Sequence, residues 1–218
     1  MTTIRDYLAF SWLAEASYVR FRNVRNALDS RDDLSNEELR GYFAASQSSS
    51  LLSSDAASGG ANLGYEGLHH VDISGSGPSG FSATLFRDTV GQRYVLAIRG
   101  TDFPSGLVDD VIDADLSGIA LSGIAGSQFA DLLIYIRQLS APGGQAVTFS
   151  DEEVRQLARL RNSDNYYDPR WQTYLPRPIE ELRAQFAGIV GIGEPGEAAL
   201  LGDAPFVVVG HSLGGHLA

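Results

Sequence analysis

At 218 residues, with 44% hydrophobic and 20% charged content, the chain is long enough to bury one sizeable core and falls within single-domain length. Its net charge of -11 argues against nucleic acid as a partner, because phosphate binding needs clustered Lys and Arg, and equally against electrostatic docking to anionic membranes. Cysteine is absent, so disulfides contribute nothing to stability, and no apolar run approaches the roughly 20 residues that span a bilayer. The N-terminus lacks a basic region followed by a long apolar run, so a secretory signal peptide is not expected.

In chain order, Leu8, Trp12, Ala16 and Val19 form an apolar stripe at helical spacing, which predicts a helix over residues 4–19. Ser35 and Glu38 make a capping box that opens a short helix to Phe43, and the Ser/Ala-rich residues 46–58, followed by Gly59 and Gly60, read as a loop or linker. Strands are predicted at 68–73, 81–87 and 94–98, with turn residues at 75–78 and 89–92 that imply antiparallel hairpins. The third strand exits through Arg99-Gly100-Thr101-Asp102.

Asp109, Asp110, Asp113 and Asp115 then form a carboxylate cluster. Two carboxylates four residues apart suit a hard cation such as calcium, but the EF-hand order and its glycine are missing, and a solvated acidic face is the preferred reading. Phe129, Leu132, Leu133, Ile136 and Leu139 give helical spacing over 127–139. Ser150 and Glu153 cap a further helix to Leu160, Tyr166, Tyr167, Trp171 and Tyr174 make an aromatic segment, and 179–190 looks helical. The stretch 142–204 is longer than a simple crossover needs, and is expected to be a lid or cap insertion or a structural decoration, with 162–178 as a mobile aromatic flap. Ordinary aromatic packing is the competing reading of that segment.

The most informative run is Phe206-Val207-Val208-Val209-Gly210-His211-Ser212-Leu213-Gly214-Gly215. An apolar strand delivers Ser212 to the mouth of a turn, and Gly210 and Gly214 lack the Cβ atoms that would collide where strand and helix meet: this is the G-x-S-x-G nucleophile elbow. Acyl transfer also needs two N–H groups aimed at the developing oxyanion. Leu213, which follows the nucleophile, supplies one, and Thr101, in the glycine-marked exit of an earlier strand, is the candidate for the other. His211 points the wrong way to serve as base and reads as packing, and His216 is turned away from the sheet edge. His69 and His70, ahead of Asp72 on an early strand, could form a rearranged base and acid only on the wrong flank.

At VLAIRGTD (95–102), DDVIDADL (109–116) and VVVGHSLGGHLA (207–218) the chain resembles the class 3 (fungal-type) lipase family and the related calcium-dependent bacterial lipases of the RTX type. The resemblance implies an α/β-hydrolase fold, with a mostly parallel central sheet flanked by helices, and a Ser-Asp-His triad acting on lipid esters. By position it makes Ser212 the nucleophile and Thr101 and Leu213 the oxyanion donors. The triad acid and histidine are expected beyond Ala218, so that residues 1–218 form one incomplete domain, truncated just after the elbow and inactive alone. The RTX-type relatives bind calcium near the acidic segment; otherwise no cofactor is expected. Those relatives are exported through a C-terminal signal, which leaves cytoplasmic and extracellular residence both open. The sequence therefore reads as a serine ester hydrolase making transient contact with a lipid interface. Its rivals are a thioesterase or amidase using the same elbow, and a non-catalytic binding module that keeps the pocket without a base.

Overall fold

Four short strands, the last of them Phe206 followed by three valines, build the sheet of the first unit. In the computed structural model, which describes residues 9–11, 13–14, 65–72, 80–88, 93–99, 120–210 and 218, the strands are β1 (Tyr65–Asp72), β2 (Ser82–Asp88), β3 (Tyr94–Ile98) and β6 (Phe206–Gly210). By its backbone the chain divides into two compact units, Met1–Asp102 with Ala204–Ala218, and Phe103–Asp203.

The four strands lie in the order β1-β2-β3-β6. β1 pairs antiparallel with β2, β2 antiparallel with β3, and β3 parallel with β6. The protein is thus mixed α/β with a mostly antiparallel four-stranded sheet, rather than the mostly parallel one expected from the lipase resemblance. Connection length is the physical reason. Four residues separate Asp88 from Arg93, whose carbonyl accepts the Asp88 N–H at 2.8 Å, and so short a link permits only antiparallel neighbours. The second unit lies in sequence between β3 and β6, and a crossover of that length permits a parallel pair. The hairpins expected from the turn residues are present, with strand bounds shifted by up to three residues.

β2 and β3 are buried along nearly their whole length, including the small polar residues Ser82 and Thr84, so both faces of the sheet centre are covered. Phe81, Leu85, Leu96 and Ile98 are its largest wholly buried apolar residues. The β1–β2 register slips between Gly67 and His69, a bulge that re-aims the strand. Of the predicted N-terminal helix, residues 9–11 and 13–14 are helical, and Ala9 and Leu13, one turn apart, are buried. The predicted helix to Phe43 and the linker 46–58 lie outside the described residues.

The second unit contains α1 (Ala120–Ser140), α2 (Asp151–Leu160), the hairpin β4 (Asn165–Asp168) and β5 (Thr173–Pro176), and α3 (Ile179–Gln185). Ala130 and Ile134 of α1, Val154, Leu157 and Ala158 of α2, Leu182 of α3 and the following Phe186 form one core, against which Phe149 and Ile189 pack. Gly126 lets α1 approach closely: a Cβ there would stand 2.7 Å from the Leu160 carbonyl oxygen. The helices are also tied by ion pairs, Arg137 to Glu153, Arg161 to the buried Asp131, and Arg183 to Asp151. Arg161 lies over the Phe186 ring at 5.4 Å as well, so one guanidinium serves a charge and an aromatic face.

The capping box at the start of α2 is present as read: the Glu153 N–H donates to Ser150 Oγ at 3.3 Å and the Ser150 N–H to the Glu153 carboxylate at 2.7 Å. The helix predicted over 179–190 stops earlier. Its N–H ladder ends at Phe186, and Gly188 takes a φ of +79°, a left-handed conformation that terminates helices. Beyond it, 189–191 runs beside 143–147, with Val147 N–H on the Ile189 carbonyl and Gly191 N–H on the Gln145 carbonyl at 2.9 and 2.8 Å. Gly191 is required there, because a Cβ would fall 2.1 Å from the Pro142 carbonyl oxygen.

Candidate functional site

The parallel pairing of β3 and β6 sets the geometry. Their partners run Tyr94↔Phe206, Val95↔Val207, Leu96↔Val208, Ala97↔Val209 and Ile98↔Gly210, so the two strands end side by side at their carboxyl ends. Adjacent strands stand about 4.8 Å apart. Gly210 is the first glycine of the G-x-S-x-G run and is the register partner of Ile98, which immediately precedes Arg99-Gly100-Thr101. The two motif-bearing segments therefore leave the sheet from the same edge. In open sheets with parallel strands, that carboxyl edge is where ligands bind.

Ser212, Leu213 and Thr101 themselves lie outside the described residues, as do His211, His216 and the acidic cluster Asp109, Asp110, Asp113 and Asp115. The structure describes the strands that carry the first three. Thr101 is three residues from Ile98 and Ser212 two from Gly210, within covalent reach of about 11 Å and 8 Å at 3.8 Å per residue.

Arg99 was not singled out by its residue type, yet it is 4% exposed at the end of β3. Its N–H donates to the Ser82 carbonyl at 2.9 Å, so β2 holds the chain in strand conformation up to the residue before Gly100. A guanidinium is charged at all accessible pH values and is seldom buried. The sequence signal was a cation directly following four apolar strand residues.

His69 and His70 sit on the far edge of the same sheet. His70 aligns with Thr84 on β2, then Ala97 on β3, then Val209 on β6, which places it three strand spacings, about 14 Å, from β6. Its Nδ1 is 2.8 Å from Thr84 Oγ1. Among the described residues no group of three or more His, Asp or Glu side chains could hold a metal ion.

The aromatic segment of the second unit forms the β4–β5 hairpin, which no strand periodicity in the sequence marks. Four register pairs, Asn165↔Pro176 to Asp168↔Thr173, define it. Its base is closed by the Arg177 N–H on the Asp164 carbonyl at 2.8 Å and tied to the helices by Ser163 Oγ, which donates to the Ala158 carbonyl at 3.2 Å and to Gln185 Oε1 at 2.8 Å. Among the described residues no helix is long and apolar enough to cross a membrane. No protein-family profile, curated protein or solved structure matches the chain.

Proposed function

We propose that the protein is a serine ester hydrolase of α/β-hydrolase architecture, cleaving carboxylic esters, lipid esters among them, through an acyl-enzyme on Ser212. The observation that carries this reading is the Ile98↔Gly210 register of the parallel β3–β6 pair, because it starts the Gly100-Thr101 segment and the Gly210-to-Gly214 elbow from one sheet edge. In the proposed reaction Ser212 Oγ attacks the ester carbonyl carbon, and its proton passes to a general base. The carbonyl oxygen becomes an oxyanion held by the N–H groups of Thr101 and Leu213. The C–O bond to the leaving group breaks as the protonated base returns its proton to the departing alcohol, and water then hydrolyses the acyl-enzyme to release the acid and free Ser212.

The test is covalent. The protein expressed from its complete gene is treated with a fluorophosphonate ester and digested, and the labelled peptide is mapped. Label on Ser212 that is lost in Ser212→Ala supports the reading. Label on a different serine, or none, overturns it.

A further inference from the structure

The hairpin β4–β5 carries the most exposed large aromatic side chains among the described residues. Trp171 is 74% exposed, Tyr174 72%, Tyr167 52% and Tyr166 36%. Tyr167 and Tyr174 are register partners and share one face of the hairpin, their rings edge to face at 5.4 Å. Trp171 lies in the connection 169–172 at the hairpin's tip, where the Arg170 N–H donates to Asp168 Oδ1 at 2.8 Å and Gln172 takes a φ of +47°. On the opposite face Arg177 covers the Tyr166 ring at 5.8 Å while pairing with Glu181 at 3.2 Å. The hairpin is tied at its base by the hydrogen bonds of Arg177 and Ser163, and its aromatic face is exposed.

Exposing three aromatic rings on one protrusion is costly in water unless they meet a partner. Charge decides which. The chain carries -11, yet residues 162–178 hold two Asp (164, 168) and two Arg (170, 177) with no Lys or Glu, and so are neutral. Asp164 pairs with Arg159 at 3.7 Å and Arg177 with Glu181, which leaves the tip with no net attraction for a polyanion or a polycation. Trp and Tyr are the side chains that settle at the ester and headgroup level of a bilayer, where an apolar ring and a polar N–H or O–H are both satisfied. We infer that the β4–β5 hairpin docks the protein on a zwitterionic phospholipid surface, with Trp171, Tyr174 and Tyr167 entering the headgroup layer. This inference stands on the second unit alone and is independent of the role given to Ser212.

The probe is the protein itself with vesicles of phosphatidylcholine. Trp12 and Trp171 are the two tryptophans, so Trp12→Phe leaves Trp171 as the sole emitter. Its emission is expected to shift to the blue on adding vesicles and to be quenched by lipids brominated high on the acyl chain. Vesicle flotation of the protein with both tryptophans gives the same answer if Trp12→Phe fails to fold. Tyr167→Ser/Trp171→Ser/Tyr174→Ser changes only exposed side chains and should keep its melting temperature while its partition onto vesicles falls by about tenfold or more. Replacing a fifth of the lipid by an anionic phospholipid should weaken binding. No binding to phosphatidylcholine overturns the inference, as does equal binding by the triple variant or binding that requires anionic lipid. Self-association that the triple variant abolishes, without vesicle binding, also overturns it and makes a second copy the partner.

Discussion

The strand pairs β3–β6 and β4–β5 are built by opposite means. β4 and β5 are joined by the four residues 169–172, pair antiparallel, and need nothing outside their own segment to find their register. β3 and β6 are separated by the entire second unit, pair parallel, and come together only because the sheet provides a slot beside β3. Local pairing gives an exposed aromatic face on a fixed support, suited to meeting a surface. Non-local pairing ends two strands side by side, each followed in sequence by a glycine-marked run, an arrangement suited to chemistry that needs groups from distant parts of the chain. The same division runs through the two units, since the second has its own core and interhelical ion pairs.

The largest expected effect breaks the chemical half of this comparison. Ser212→Ala should abolish phosphonate labelling and lower ester turnover by about 10⁶-fold, as loss of the nucleophile does elsewhere, with little change in melting temperature. Turnover retained in that variant would leave the β3–β6 edge without a catalytic role. Thr101→Pro comes next. It removes an N–H donor, and loss of one oxyanion donor typically costs about 2.7–4 kcal/mol, so kcat should fall roughly a hundredfold or more with KM nearly unchanged. A rise in KM alone would make the segment after β3 a binding element instead.

Leu157→Ala probes whether the second unit stands on its own core. Leu157 is 3% exposed among Ile134, Leu182 and Phe186, and truncation should cost about 2–5 kcal/mol in urea unfolding. At temperatures well below the melt, the rate of Ser212 labelling should be unaltered. A labelling rate that drops together with stability would join the two units energetically.

The smallest effect is electrostatic. The Glu153 carboxyl is held below its ordinary value of 4.5, chiefly by the Ser150 N–H, then by the Ser150 hydroxyl, with Arg137 adding to both. A depressed carboxyl contributes stability that is present above its unfolded value and lost as pH falls through the folded one. Glu153→Gln should therefore melt below the wild type at pH 7, and the two curves should converge as pH falls below 4.5. More than a third of this side chain is exposed, so screening limits the gap to about a few tenths of a kcal/mol. A constant gap across the titration would mean that hydrogen-bond shape, not charge, stabilises this cap.

Much of the local structure was legible because its causes are local. Ser150 and Glu153 announced the start of α2, since a capping box satisfies orphan donors within one turn. Phe129, Leu132 and Leu139 marked α1, which runs seven residues further back than their stripe, through Ala120-Leu121-Ser122-Gly123, where Ser and Gly dilute the pattern. The helix end at Phe186 was missed because apolar spacing continues through Ile189 and Val190. Gly188 was the available signal, and its left-handed φ stops the ladder. The β4–β5 hairpin is hard to read because β4 carries two consecutive tyrosines, β5 only one, and Pro169 and Pro176 punctuate the segment.

By itself the sequence determined the strand and helix seeds, the capping box, the absence of any cysteine cross-link, and the two glycine-marked runs around Thr101 and Ser212. Periodicity, turn chemistry and caps act over a few residues and need no partner. Only the tertiary structure decided the sheet order, the parallel pairing of β3 with β6, the 14 Å that separates His70 from β6, and the meeting of Ile98 with Gly210. Those depend on which distant segments win a place beside one another, a competition settled by burial across the whole unit and not by any window of the chain.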